Sequence, residues 1–136
     1  MQTRELTVET GSIPSLADLT DACAAFLAEV GADDGLLTVF VPHATASVVV
    51  VELGAGSEQD LLAALERLLP HDDRWRHRHG HPGHGADHVL PLVASPSLSV
   101  PVVAGHMALG TWQSIALLDT NADNPRRTVR VAFLAG

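Results

Sequence analysis

Ser97–Leu134 reads SLSVPVVAGHMALGTWQSIALLDTNADNPRRTVRVAFL, and this run decides the fold. Residues 97–104, 112–119 and 127–134 within it are rich in Val, Leu and Ile and of strand length. Gly105 and Asp123-Asn124-Pro125 supply the turns. Further upstream the apolar spacing changes. Leu16, Leu19, Cys23, Phe26, Leu27 and Val30 recur at helical spacing, with Ser15 as N-cap and Gly31 where a C′ glycine belongs. Leu61, Leu62, Leu65, Leu68 and Leu69 form a second helical face, opened by Ser57 and Asp60 in a capping arrangement and stopped by Pro70. Between these helices, Leu36–Val41 and Val48–Leu53 read as strands interrupted by Pro42–Ser47. At the start of the chain Arg4, Leu6 and Val8 alternate with Thr3, Glu5, Thr7 and Glu9, the pattern of a half-buried strand. Strands at both ends with two or three helices between them predict an α+β fold. The expectation is one domain over residues 1–136, built on a mixed or largely antiparallel sheet.

The ionisable residues exclude whole classes of function. The 136-residue chain has eight Arg, no Lys, eight His and a formal net charge of −8. Without Lys there is no Schiff-base chemistry and no P-loop. The acidic balance opposes non-specific nucleic-acid binding and adsorption to anionic membranes. The single Cys23 forms no internal disulfide, which points to a reducing compartment. The N-terminal residues lack an apolar run of signal-peptide length, and Val48–Val51 is far too short to span a bilayer. A cytoplasmic protein with neither nucleic-acid nor membrane partners is expected.

Six of the eight histidines crowd into one stretch: His71, His77, His79, His81, His84 and His88. The stretch reads as a loop running into a short helix near Gly85–Leu92, where His84 and His88, four residues apart, aim at one point. A solvated loop also tolerates surplus histidine, so the tract alone is a weak signal. His43 ends a strand and precedes the small residues Ala44-Thr45-Ala46-Ser47. It either faces a ligand or is a partly buried ring bonded to a backbone carbonyl. Glu52 follows the apolar run Val48–Val51 and either points into a site or marks the strand's wet end. In Gly110-Thr111-Trp112-Gln113 the glycine permits a tight backbone, the polar residues offer donors and acceptors, and the usual burial of Trp assigns Trp112 to the core.

Taken together, these motifs resemble the YjbQ family, long uncharacterised and also described as secondary thiamine-phosphate synthase. The likeness is carried by Ser97–Ile115, with its Ser, alternating aliphatics, Gly105 and Gly110-Thr111-Trp112-Gln113. His43–Ser47 resembles the family's His-Thr-Thr-Ala segment, and Glu52 its Asn-Glu pair. Trp75-Arg76-His77 resembles an aromatic-X-His, Gly83–His88 a Gly-Asn-X-X-X-His, and Pro125-Arg126-Arg127 a Pro-Arg block. There are departures: Val51 and His84 stand where the family has Asn, Ala44 where it has Thr, Leu90 where a basic residue is common, and Asp119 where Glu is usual.

The resemblance implies a compact, β-sandwich-like α+β fold assembled as a homotrimer, with sites near subunit boundaries and metal or oxyanion binding at the shared histidines. It also implies the coupling of hydroxymethylpyrimidine diphosphate to thiazole phosphate with release of pyrophosphate. On that reading His43, His77 and His88 hold a divalent metal, Zn²⁺ or Mg²⁺. His43, Glu52 and His88 carry the chemistry, with Glu52 as carboxylate or general base. Thr45, Ser47, Thr111, Gln113, Arg126 and Arg127 face the small phosphorylated substrate, and Trp112 offers a stacking surface. His79 and His81 are expected to be dispensable for metal. Three imidazoles suit Zn²⁺ better than Mg²⁺, which prefers oxygen. A metal-dependent hydrolase of a small phosphorylated metabolite and a non-catalytic metal-binding trimer are therefore the alternatives.

Overall fold

A computed structural model describes residues 1–136. Its elements are, in order, β1 Gln2–Glu9, β2 Ser15–Asp18, α1 Thr20–Glu29, β3 Gly35–Phe40, β4 Ala46–Val51 and α2 Ser57–Leu68. They continue with α3 Gly85–Val93, β5 Ser97–Val103, β6 His106–Met107, β7 Ser114–Asp119 and β8 Arg126–Ala135. Two sheets form, one of five strands in the order β1-β8-β3-β5-β6 and one of three in the order β2-β7-β4. All pairings are antiparallel, so of the two expected arrangements, mixed and antiparallel, the second is found.

Period-two burial explains how the sheets face each other. On β8, Arg127, Val129, Val131 and Phe133 point inward while their neighbours are more exposed. They meet Leu37 and Val39 of β3, Val48 of β4, and Ile115 and Leu117 of β7, with Cys23, Phe26 and Leu27 of α1 in the same core. β7 is buried on its other face too, where Leu118 packs with Leu69, Ala86 and Leu90 beneath α2 and α3. Burial on both sides accounts for its unbroken apolar sequence. Cys23 is wholly buried, and burial together with nearby Asp18 pushes its thiol up to about 12, the behaviour of a core residue. Leu90 is likewise fully buried, so this departure from the family pattern fills a core position. No helix is long and apolar enough to cross a membrane.

Four local expectations need correction. Leu16–Asp18 lies in strand β2, not the first turn of a helix, because Leu16 and Ala17 register against Leu118 and Leu117 on β7. Ser15 therefore caps nothing; Asp18 Oδ1 accepts from Thr20 N at 2.8 Å instead. The Ser57–Asp60 capping pair does not form, since Gly56 is the N-cap and Glu58 Oε2 accepts from Gly54 N at 2.9 Å. Trp112 is 74% exposed and belongs to no core, because it lies in the turn before β7 rather than within the strand.

At one end of the sandwich the gap between the sheets is closed by polar groups. Arg127 reaches across to Asp119 through Nε (2.7 Å) and Nη2 (2.8 Å), and both residues are 1% exposed. Thr10 Oγ1 and Asn121 N donate to the same carboxylate at 2.7 and 3.0 Å, so each of its oxygens accepts two hydrogen bonds. That end of the molecule also carries the histidines.

Candidate metal centre

The helix α3 supplies the first pair of ligands. One turn of α-helix brings His84 Nε2 within 2.9 Å of His88 Nε2. The loop before it folds back so that His77 and His79 join them, with ring centroids of His77 and His88 4.1 Å apart and those of His79 and His84 5.0 Å apart. One nitrogen from each of these four rings lies within 4.8 Å of the others. Tetrahedral Zn²⁺ at about 2.0–2.1 Å from each nitrogen would place ligand atoms roughly 3.3 Å apart, so only small ring movements separate this cluster from a four-coordinate site.

The loop holds this shape through specific anchors. Asp123 Oδ2 accepts from His81 N at 3.0 Å and bonds His81 Nδ1 at 2.9 Å. Trp75 Nε1 donates to Pro70 O at 2.8 Å. Gly83 has φ +82°, and a Cβ there would lie 2.6 Å from His71 Cα, so only glycine lets the chain pass. The orientation of His84 is set by Asn121. Asn121 Oδ1 accepts from Asp123 N (2.7 Å) and Asn124 N (3.2 Å), which turns Nδ2 toward His84 Nδ1 at 3.0 Å. With Nδ1 accepting, a neutral His84 in the metal-free protein carries its proton on Nε2 and donates to His88. Binding an ion through Nε2 requires that proton to move to Nδ1, where Asp123 Oδ2 and Asp87 Oδ2 lie 3.4 and 3.5 Å away.

Burial lowers the pKa of His84 and of His88, and for His88 the neighbouring His77, His84 and His79 lower it further. Neutral rings with free lone pairs are what a metal requires. The His43 pKa is also lowered, by burial and then by Arg127. Each of these groups takes up a proton in the unfolded chain near pH 6.5 but resists it when folded, so stability falls as pH drops below about 6.5. His71 works oppositely: burial pushes it down, but hydrogen bonds with Asp87 and Glu66 outweigh this and raise it. Its contribution is complete below about pH 6.5 and fades as pH rises through the raised value. With three groups against one, the melting temperature of chelator-treated protein is expected to fall from about pH 7.5 to about pH 5. A rise over that range would show that His71 dominates.

The residues anticipated from sequence divide by location. His77 and His88 are in the cluster, His84 is its buried member, and His79, expected to be dispensable, is the fourth. His43 is outside it. Its Nε2 accepts from Thr128 N at 3.0 Å, so it bonds a backbone N–H, not a carbonyl, and that lone pair is engaged. It nevertheless faces His88 across an open groove of about 420 Å³ whose walls include Phe40, Pro42, Pro91 and Pro96. Thr45, Ser47 and Arg127 are buried and bonded internally. Arg127 Nη2 donates to Thr45 Oγ1 at 3.0 Å, and Ser47 Oγ donates to Ala94 O at 2.5 Å. None of the three is presented to a substrate. Arg126 is exposed and paired with Glu9 at 2.6 Å.

Glu52, Thr111, Trp112 and Gln113 lie elsewhere. β4 and β7 register with Ala46 opposite Asp119 and Val51 opposite Ser114, so the histidine end and the Glu52 end are at opposite tips of the sheet. At about 3.3 Å per residue the separation along β4 is roughly 20 Å. Glu52 is exposed there, at the strand's wet end, and Gln113 Oε1 accepts from Gly110 N at 2.8 Å to close its own turn. Asp87, Asn121 and Asp123 were not anticipated. The available signal was Asp87 itself, an acid on the apolar helix Gly85–Val93.

Fold and site together define a small two-sheet α+β protein carrying a solvent-accessible all-imidazole cluster at one end of the sandwich. The chain belongs to the UPF0047 protein YjbQ-like family, whose model matches residues 4–136. It is 57% identical over 136 residues to the UPF0047 protein Rv2556c of Mycobacterium tuberculosis, covering 100% of both chains. A UPF0047 protein of Archaeoglobus fulgidus is 33% identical over 125 residues, 92% of this chain and 96% of the other. Among solved structures, the hypothetical protein APE1520 from Aeropyrum pernix superposes with TM-score 0.90 at 32% identity, covering 100% of both chains. A YbjQ-like protein of unknown function from Sulfolobus solfataricus matches the fold with TM-score 0.92 at 24% identity, covering 99% of this chain and 97% of that one.

Proposed function

We propose that this protein is a metal-dependent hydrolase acting on a small phosphorylated compound from the His77–His79–His84–His88 centre. The observation that carries the reading is the convergence of four imidazole nitrogens within 4.8 Å, with no carboxylate among them. Such a donor set suits Zn²⁺ or another borderline transition metal and does not suit Mg²⁺, which takes oxygen. A bound ion of this class would supply Lewis acidity toward a phosphoryl oxygen and a water of lowered pKa, at a fifth position or at the place of an exposed ring such as His79, since four imidazoles alone close a tetrahedral site. The chain's part is to place the His84 ring through Asn121, to keep His84 and His88 neutral by burial, and to offer the groove beside His88 for the rest of the substrate.

The coupling of hydroxymethylpyrimidine diphosphate with thiazole phosphate is the second reading. What favours it is the groove itself, whose Phe40 and proline walls fit a flat heteroaromatic ring. That chemistry needs Glu52 and Thr111–Gln113 at the centre, and only a neighbouring subunit of a homotrimer could bring them there. Mass in solution tests this requirement, and a monomer removes it.

The functions separate in parallel assays of Zn²⁺- and Mg²⁺-loaded protein. Phosphate release from a panel of phosphorylated metabolites is expected with Zn²⁺ and absent from the His77→Ala/His88→Ala variant. Formation of thiamine phosphate from the two precursors, without hydrolysis, would reverse the order of the readings. Firm metal binding with neither activity would leave a non-catalytic metal-binding protein.

A further inference from the structure

Beside the four-histidine cluster lies a second group whose polar atoms are left unbalanced. Asp87 is fully buried on the first turn of α3. Its Oδ1 accepts from Thr120 Oγ1 at 2.6 Å and bonds His71 Nε2 at 2.8 Å. Its Oδ2 has no hydrogen-bond partner and is the one buried side-chain polar atom so placed. His84 Nδ1 and His81 Nε2 lie 3.5 and 3.6 Å from Oδ2, too far for a good hydrogen bond. A buried carboxylate ordinarily has an arginine or a full set of donors, and an orphaned oxygen on one calls for a cation or water. No arginine reaches it.

The two imidazoles are oriented toward this carboxylate from outside. His71 Nδ1 bonds Glu66 Oε2 at 2.7 Å, and His81 Nδ1 bonds Asp123 Oδ2 at 2.9 Å. In the metal-free protein the 2.8 Å contact of His71 Nε2 with Asp87 Oδ1 needs a proton between them; an ion would take that proton's place, while the carboxylate on each Nδ1 holds the other ring proton, the arrangement that supports histidine ligands in metal sites. Both Nε2 atoms then point at Asp87. The three groups offer one ligand atom each, all within 4.8 Å of one another. Glu66, Asp87 and Asp123 together place three carboxylates around two rings, a local excess of negative charge.

We infer that His71, His81 and Asp87 form a second divalent transition-metal site, adjacent to the four-histidine centre and separated from it by the ring of His84. Two nitrogens and one carboxylate oxygen suit Zn²⁺, Co²⁺ or Fe²⁺ and leave coordination positions open. The side chains of His71 and His81 are 20% and 23% exposed, so an ion has access from solvent. His84 faces both groups, with Nε2 toward His88 and Nδ1 toward Asp87.

The inference rests on the metal-binding half of the proposed function, and the test keeps the two apart. Metal-free protein is titrated with Co²⁺, following the visible absorption and the stoichiometry, and Zn²⁺ content is measured after dialysis. Wild type is expected to bind two ions per chain. His77→Ala/His88→Ala and His71→Ala/His81→Ala should each keep one, with different Co²⁺ spectra because one site is all nitrogen and the other includes a carboxylate. Asp87→Asn, which keeps the shape of the side chain, should lose the second ion alone and guards against misfolding of the double variant. If His71→Ala/His81→Ala and Asp87→Asn bind as much metal as wild type, the second site is overturned while the first stands. If wild type binds one ion and His77→Ala/His88→Ala still keeps it, the four-histidine centre fails instead.

Discussion

Zn²⁺ affinity at the imidazole centre is expected to fall about 10⁴-fold when His77 and His88 are replaced together by alanine. Structural Zn²⁺ sites bind with about 10–16 kcal/mol, or roughly 2.5–4 kcal/mol for each of four ligands. Losing two ligands removes about 5–8 kcal/mol, and water filling the vacated positions returns part of it, leaving about four decades of affinity at about 1.4 kcal/mol per decade. Competition against a chromophoric chelator measures this directly. The variant is expected to stay folded, because His77 is exposed and neither ring belongs to a hydrophobic core. His43→Ala is the contrast. Its Nε2 is bonded to Thr128 N, so its loss should change Zn²⁺ affinity by less than a few-fold. Equal losses from both substitutions would return His43 to the ligand set and displace His79 or His84 from it.

The comparison of His43 with His79 shows what a linear sequence can and cannot reveal. Strand alternation on β8 and the continuous apolar run of β7 were legible because side-chain direction follows local backbone period. The His84–His88 pair was legible for the same reason, being one turn of a helix. Which other rings join that pair depends on contacts distant in sequence. Asp123 fixes the loop at His81 across 42 positions, and Asn121 fixes His84 across 37. No periodicity in residues 71–84 encodes either. Glu52 and Trp112 were misplaced through register. Both adjoin strands that were correctly anticipated, but only the pairing of Ala46 with Asp119 shows that they sit at the far tip of the sheet. Leu16–Ala17 failed for a related reason: an edge strand of four residues borrows its conformation from β7, and its apolar residues merge into the spacing of the helix that follows.

Arg127→Met is expected to lower stability by about 3–5 kcal/mol, because it leaves the Asp119 carboxylate buried without its cation. For a domain of this size that corresponds to a melting temperature lower by about 10–20 °C. The double variant Arg127→Met/Asp119→Leu should recover only part of the loss. Removing both charges relieves the unpaired carboxylate, but Thr10 Oγ1, Asn121 N and Thr45 Oγ1 would then lack the partners they have now. Full recovery would mean that those three find water, and that the pair contributes little beyond neutralising itself. The ion pair also reaches the metal centre. Asp119 Oδ1 holds Asn121 N, Asn121 holds Asp123 N through its Oδ1, and its Nδ2 orients His84. Arg127→Met loosens the placement of the His84 ring as well as the fold, so Zn²⁺ affinity is expected to fall with stability, by about 10-fold. Asn121→Ala separates the two effects, since it removes the contact to His84 and leaves Arg127 on Asp119. Asn121 Nδ2 donates to His84 Nδ1 and keeps the ring proton on Nε2, so this variant should lose less Zn²⁺ affinity than Arg127→Met, with a smaller loss of stability. If Arg127→Met destabilises the fold but leaves Zn²⁺ affinity unchanged, the buried pair and the imidazole centre are neighbours without being coupled.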